Sequence, residues 1–273
     1  MKLKKLVVVA VACAMAASLA LVGCGSSGSS SSDSSSASYS LVNEGQLTVA
    51  TSPDFPPFEN LDTTAGEGAD QYVGLDMDIA RAVADKLGLE FNPVTIQFDG
   101  IIPAIVSGGQ ADIAISGITI SPDREEQVDF SDPYYVDDLS IVVMNSSSST
   151  EDSIDSDLNA SDVTIAVQSG TTAESYAKEN YPNATASAYG NANDTFAALQ
   201  AGQVDAVITN KAVGENMLQS YTDCKVVKSI ATGEEYGIAV SKDNPQLLEA
   251  VNQALSELQQ DGTIDELTQK WMS

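Results

Sequence analysis

The sequence predicts an α/β protein made of two similar lobes, each a largely parallel sheet with helices packed against it. Three observations lead there. From Leu47 onward, short apolar runs alternate with segments of helical period, the pattern of strand–helix–strand units. The 273 residues are 43% hydrophobic and 19% charged, which supplies a core for one or two domains. The run Ile105-Val-Ser-Gly-Gly-Gln-Ala-Asp112-Ile-Ala-Ile115 is echoed by Leu199-Gln-Ala-Gly-Gln-Val-Asp205-Ala-Val-Ile208. In both, a helix ends at glycine and an aspartate leads into a strand. Parallel α/β sheets bind ligands at the carboxyl ends of their strands, so two such lobes face to face place a ligand in the cleft between them.

Before the fold comes an address. Lys2, Lys4 and Lys5 precede an uncharged, almost wholly apolar stretch over 6–22, which closes in Leu21-Val22-Gly23-Cys24. A basic start, an apolar run and small residues at its end make a secretory signal over 1–23. The stretch lies at the lower edge of what spans a bilayer, and an uncleaved anchor is the alternative. Its close resembles the bacterial lipobox, in which a small residue precedes a cysteine that is acylated and becomes the new N-terminus. Cys24 is therefore the expected lipidation site. The tract 26–40 is nearly all serine and cannot bury enough apolar area to fold, so 24–44 is expected to be a flexible tether.

In the folded part, 47–50 is a strand. Leu75, Ile79, Val83 and Leu87 lie on one face of a helix over 75–87, with Asp76 and Asp78 in its first turn and Gly88 just past its end. The stretch 91–98 is a second strand. Asp99 then caps a helix to Ser107, with Pro103 early enough to be tolerated and Gly108-Gly109 at its end. A third strand covers 113–115. After the apolar run 139–144, the polar, acidic 146–162 makes a loop with a short helix. Strand 163–167, helices 172–178 and 195–201, and strand 204–209 follow. A last strand falls at 236–240, and a C-terminal helix near 246–260 sets Leu247, Val251, Leu255 and Leu258 on one stripe.

Charge and composition exclude several functions. Twelve Lys+Arg against 39 Asp+Glu give a formal charge of −27, which repels phosphate backbones and excludes nucleic acid as a partner. The chain has no histidine, which removes Ser-His-Asp and Cys-His mechanisms and every histidine-ligated metal site. No metal or cofactor is expected. Of three cysteines, Cys13 leaves with the signal and Cys24 carries lipid. Cys224 then stands alone as a small buried apolar residue, with no structural disulfide.

The candidate chemistry lies just past three strands, at Ser52-Pro-Asp-Phe-Pro-Pro-Phe58, Ser116-Gly-Ile-Thr119 and Gln168-Ser-Gly-Thr-Thr172. Arg124 follows the second of these and is one of two arginines, the other being Arg81. A guanidinium there suits a carboxylate held by two parallel hydrogen bonds. Judged alone, it equally suits a surface ion pair with Glu125, Glu126 or Asp129. Ser169 to Thr172 at a helix start offers backbone N–H groups to an anion, although an ordinary strand-to-helix turn has the same sequence. Phe55 and Phe98 are placed to pack on a ligand or cover a cation. Phe58 reads as core.

Taken together, these segments resemble the family-3 extracellular solute-binding proteins, the polar amino-acid receptors of ABC importers. The resemblance rests on Ala50-Thr-Ser-Pro-Asp-Phe-Pro-Pro-Phe-Glu59, Tyr72-Val-Gly-Leu-Asp-Met-Asp-Ile79, Phe98-Asp-Gly-Ile-Ile-Pro-Ala104 and Gly117-Ile-Thr-Ile-Ser-Pro-Asp-Arg124. Asp129-Phe-Ser-Asp-Pro-Tyr-Tyr135, Gln168-Ser-Gly-Thr171, Asp205-Ala-Val207 and Glu235-Tyr-Gly-Ile238 continue it, in register from Leu47 to Trp271. It implies the type II periplasmic-binding-protein fold: lobe 1 from 45–136 and 235–273, lobe 2 from 137–234, and two hinge segments near 134–139 and 232–237. The expected function is a lipid-anchored, monomeric receptor on the extracytoplasmic face of the membrane. It closes on one polar amino acid and passes it to an ABC permease with its ATPase subunit.

By the same resemblance, Arg124 with Thr119 and the Thr172 amide holds the ligand carboxylate. Ser116 and Gly117 offer backbone contacts to the amino group, and Phe55 and Phe98 wall the ligand. Gln168 and Thr209 line the side-chain end. Two positions depart from the family. The acid that usually binds the ligand ammonium is here Asn210, and some relatives carry an acid at Ser52; either Asp54 substitutes, or the ligand is not a standard α-amino acid. A charge-assisted hydrogen bond is worth about 1.5–3 kcal/mol against about 1 for a neutral one, so the change at Asn210 matters. Two other readings stay open. One is a cyclic-acid dehydratase-like enzyme using Asp54, Asp99 or Glu59; the other is a ligand sensor without transport.

Overall fold

The computed structural model describes residues 39–273. The signal segment, Cys24 and the serine tract through Ser38 lie outside the described residues. The end of the expected tether is fastened to the body. The Val42 amide donates to Asp112 Oδ1 at 2.7 Å, and Asn244 Nδ2 donates to the Ser40 carbonyl at 2.8 Å. Among the described residues no helix is long and apolar enough to cross a membrane.

Two five-stranded sheets organise the chain. In the first, Gln46–Thr51 lies between Glu90–Thr95 and Ile113–Ala114, parallel to both. Ala239–Val240 then enters antiparallel between Ile113–Ala114 and Asp129–Phe130. In the second, Thr164–Gln168 is parallel to Thr185–Tyr189 and Ala206–Asn210. Tyr135–Met144 runs antiparallel to Ala206–Asn210, and Cys224–Tyr236 antiparallel to Tyr135–Met144. The expected α/β architecture in two lobes is what the chain adopts, with antiparallel strands where it passes from one lobe to the other.

The internal echo has a physical basis. Asp112 sits beside the start of Gln46–Thr51, where its Oδ2 accepts from the Thr48 amide at 2.7 Å while its own amide donates to the Thr48 carbonyl at 2.8 Å. Asp205 repeats this in the other lobe: Oδ2 accepts from the Thr164 amide at 2.8 Å, and its amide donates to the Thr164 carbonyl at 2.9 Å. Each aspartate closes the ladder at a strand start that would otherwise leave a donor unpaired.

Helix Leu75–Leu87 ends as its sequence requires, on Gly88 in the left-handed region at φ 69°. Its Leu75, Ile79 and Val83 are fully buried, as are Leu247, Val251 and Leu255 of helix Pro245–Gln260. The two helices cover one face of the first sheet, and helix Phe98–Ser107 covers the other. Between the lobes Phe58 is wholly buried, with edge contacts to Tyr236 at 5.1 Å and Tyr135 at 5.2 Å.

Several boundaries differ from expectation. The second strand stops at Thr95, and Phe98 opens the next helix instead of closing the strand; Gln97, not Asp99, is the N-cap. The helix expected at 195–201 begins at Ala192, capped by the Asn191 side chain. The strand expected over 236–240 is two strands. Cys224–Tyr236 ends the hinge ladder, and Ala239–Val240 belongs to the other sheet. Register shifts at Val226/Lys228 and Ile230/Glu234 let the long strand change direction on its way between lobes. Cys224 is buried beside Met144, its Sγ 3.7 Å from Sδ, and burial pushes its thiol up.

Candidate functional site

The carboxyl ends of Gln46–Thr51 and Thr164–Gln168 face each other across the seam, where Gln168 reaches Asp54, beside the antiparallel hinge pairs Glu234/Asp137 and Tyr236/Tyr135. Arg124 lies in the short helix Pro122–Glu125, its guanidinium over the Phe98 ring at 5.4 Å. Its Nη1 donates to the Thr119 carbonyl at 2.8 Å in the first lobe, and its Nη2 donates to the Gly170 carbonyl at 3.0 Å in the second. Burial lowers its pKa, an effect opposed by the nearby Glu234 carboxylate. Among the described residues it makes no ion pair, so the surface pairing with Glu125, Glu126 or Asp129 does not form. Phe98 does cover a cation, the protein's own.

Beside Arg124 three side chains converge on one oxygen. Glu234 Oε2 accepts from Thr119 Oγ1 at 3.0 Å, Thr172 Oγ1 at 3.0 Å and Asn210 Nδ2 at 2.9 Å. Thr119, Thr172 and Asn210 come from the first lobe, a second-lobe helix start and a second-lobe strand end. Glu234 itself comes from the hinge and is only 8% exposed. Sequence reasoning passed over it, because one of two adjacent acids after Thr232-Gly233 looks like a solvated turn. The available signal was strand parity: Tyr236 is inward, so Glu234, two residues back, shares its face. Asp137, directly opposite Glu234 in the ladder, is pushed up to about 6 by burial, with the Glu234 charge adding to it.

The other end of the site is built on Asp54. Its carboxylate accepts from Ser52 Oγ at 2.8 Å, from Gln168 Nε2 at 3.1 Å and from the Ala192 amide at 2.7 Å. Gln168 and Ala192 belong to the second lobe, so this acid ties the lobes together. All three donors are neutral, and burial raises the pKa of Asp54 against their pull. Phe55 is buried and lies on Gly117, whose φ of 54° belongs to the left-handed region; a Cβ there would come within 3.3 Å of the ring. Thr209 is buried at the end of Ala206–Asn210, its carbonyl accepting from Ser140 Oγ at 3.3 Å.

Behind Phe55 and Gly117 lies a second layer. The Ser116 hydroxyl accepts from the Ser52 amide at 3.0 Å and donates to Glu59 Oε1 at 2.8 Å. Asp76 Oδ2 accepts from the Gly117 amide at 2.7 Å and from the Tyr134 hydroxyl at 2.8 Å. Glu59 and Asp76 are both wholly buried. The first-turn acid of helix Leu75–Leu87 thus also fixes the loop that carries Ser116 and Gly117.

The expected anion cradle at Ser169 to Thr172 is narrower than the sequence suggested. The Ser169 amide donates to the Tyr189 carbonyl at 2.8 Å, and the Gly170 amide to Glu174 Oε2 at 2.8 Å. The Glu174 amide in turn donates to Thr171 Oγ1 at 3.2 Å, so the Thr171 side chain caps the helix while the Glu174 carboxylate reaches one residue further back, to Gly170. That leaves the amides of Thr171, Thr172 and Ala173 at the helix start. Gly170, at φ 77°, packs across the seam: a Cβ would stand 2.9 Å from Asp99 Cβ.

The arrangement offers a cation, an acid, neutral hydroxyls and an aromatic wall at one seam between two hinged lobes. Known proteins show the same architecture. The arginine-binding extracellular protein ArtP of Bacillus subtilis is 31% identical over 237 residues, covering 84% of this chain and 86% of the relative. An ancestral arginine-binding protein bound to arginine superposes with a TM-score of 0.77 at 38% identity, covering 84% of this chain and 99% of that one. The ancestral amino acid-binding protein AncCDT-1, a precursor of cyclohexadienyl dehydratase, gives 0.76 at 38% identity, covering 84% and 96%. The family model for bacterial extracellular solute-binding proteins, family 3, matches residues 47–273, and the chain belongs to that family.

Proposed function

We propose that this protein is a lipid-anchored receptor that closes on one polar amino acid and delivers it to an ABC permease and its ATPase subunit. The observation that carries the reading is Arg124, a guanidinium at the seam whose protein partners are two backbone carbonyls from opposite lobes. Of its five N–H donors two are committed, which leaves donors for a ligand carboxylate. Thr119 and the Thr172 amide flank it, and Ser116 and Gly117 lie beside the amino end. Gln168 and Thr209 line the side-chain end, Ser52 and Gln168 both donate to Asp54, and Phe55 and Phe98 are the walls. A ligand bridging both lobes stabilises the closed state by the contacts it makes only there.

Relatives that bind arginine make a cationic side chain the first candidate, and the all-neutral surroundings of Asp54 agree with it. The acids named for a dehydratase-like mechanism are engaged otherwise: Glu59 is wholly buried, Asp54 ties the lobes, and Asp99 accepts from Ser169 Oγ at 3.0 Å. Binding is the activity these contacts support.

The test is a thermal-shift panel of the purified protein with L-arginine, L-lysine, L-glutamine and L-cystine. A ligand at 100 times its Kd contributes about 2.7 kcal/mol. For a domain of this size each kcal/mol is worth roughly 2–4 °C, so the true ligand is expected to raise Tm by roughly 5–10 °C. A flat panel overturns the reading. For the anchor, Cys24→Ala is expected to move the protein from the membrane fraction to the soluble one, and retention at the membrane sinks the lipid tether.

A further inference from the structure

We propose that Glu234, reaching in from the hinge, is the acid that receives the ligand's ammonium in place of the carboxylate absent at Asn210. The inference rests on the amino-acid receptor reading and names a residue that reading does not supply. Its basis is the placement of the carboxylate. Glu234 Oε2 is held by Thr119 Oγ1, Thr172 Oγ1 and Asn210 Nδ2, the side chains nearest the expected seat of the ligand's α-carbon substituents. Thr119 stands between the two charges of the site: its carbonyl accepts from Arg124 and its hydroxyl donates to Glu234. A positive and a negative side chain flanking one residue form a dipole that an amino-acid zwitterion matches in the reverse sense, carboxylate on Arg124 and ammonium on Glu234.

The position of Asn210 agrees. Its Nδ2 donates to Glu234, so the neutral amide serves to orient the acid, and the charge is displaced by two strands of the sheet. An ammonium there gains a charge-assisted bond with a buried carboxylate whose present partners are all neutral. Because Glu234 stands on a hinge strand and touches both lobes through Thr119 and Thr172, the same contact couples occupancy to closure.

The experiment compares L-arginine and L-glutamine with their deamino analogues, 5-guanidinopentanoate and glutaramate, by isothermal titration on the wild type, Glu234→Gln and Glu234→Gln/Asn210→Asp. The wild type is expected to prefer an amino acid over its deamino analogue. Exchanging a charge-assisted for a neutral partner lowers affinity by about 2- to 30-fold, so Glu234→Gln should lose that much for the amino acid. It should leave the deamino analogue unaffected. Restoring an acid at 210 in the double variant is expected to recover most of the loss. Equal losses for both compounds, with no recovery at 210, would reduce Glu234 to a structural tie and overturn the proposal. Unchanged affinity in Glu234→Gln would overturn it as well, with the receptor reading intact. A wild type that binds none of the four compounds overturns the Glu234 proposal, and one that also leaves the thermal-shift panel flat overturns both.

Discussion

Arg124→Ala is expected to lower amino-acid affinity at least about 100-fold, because it removes two charge-assisted hydrogen bonds, each worth about 1.5–3 kcal/mol. The fold should survive the change. Arg124 is half-buried, pairs with no acid among the described residues, and spends its fixed bonds on two carbonyls at the seam. Losing those costs no buried partner its only charge, and the unfolding free energy is expected to fall by no more than about 1 kcal/mol. Arg124→Lys separates charge from geometry. The ammonium keeps the sign but cannot present a planar fork or stack on Phe98 in the same way, so an intermediate loss of about 10-fold is expected. Titration calorimetry and the unfolding of the ligand-free variants read the two effects independently. Unchanged affinity in Arg124→Ala would put the carboxylate seat elsewhere in the cleft.

How legible all this was in the sequence depended on how strongly each segment's pattern is tied to burial. Helices Leu75–Leu87 and Pro245–Gln260 announce themselves through stripes of residues that the structure buries completely. Strand Thr185–Tyr189, with sequence Thr-Ala-Ser-Ala-Tyr, does not, because an edge strand buries no complete face and needs no alternation. The hinge strand Cys224–Tyr236 was hidden for a related reason. It leaves one sheet and approaches another, so its middle is largely exposed and its composition polar.

In the site, strand-end residues such as Thr119, Gln168 and Asn210 stood out, since α/β sheets present ligands there. Glu234 and Asp76 did not. An acid in a strand or a first helical turn has an ordinary surface explanation; parity with Tyr236 points Glu234 inward, but only the three-dimensional arrangement shows which donors the two acids accept from. Asp54 falls between these cases: its proximity to Ser52 was visible, but its bond to the Ala192 amide spans 138 positions of sequence.

Asp76→Ala is expected to be the most destabilising single change in the cleft. It strips the partner from the Gly117 amide and the Tyr134 hydroxyl, both held at under 3 Å, and leaves Glu59 alone in a dry interior. Leaving two buried donors unpaired costs about 1–3 kcal/mol each, which for a domain of this size lowers Tm by roughly 4 °C or more. Glu59 Oε2 and Asp76 Oδ1 are buried without a partner when both groups are written as carboxylates, and one proton on Glu59 directed at Asp76 satisfies both. Burial, then the Asp76 charge, hold the Glu59 carboxyl well above the usual carboxylate range, and burial pushes Asp76 up to about 6.

The sign of the pH dependence follows from these raised values. Unfolded, both acids release their protons near pH 4, whereas the folded pair keeps one or more to higher pH. The native state therefore binds more protons from the ordinary carboxylate range upward, and stability falls with rising pH by about 1.4 kcal/mol per unit for each extra proton. Glu59→Gln replaces the protonated acid with an amide that still accepts from Ser116 and donates to Asp76, but carries no titrating proton. Its stability relative to wild type is expected to rise from pH 5 to pH 8, measured by urea unfolding at each pH. A constant difference across that range would mean that the pair holds no proton and that the two orphan oxygens are satisfied in some other way.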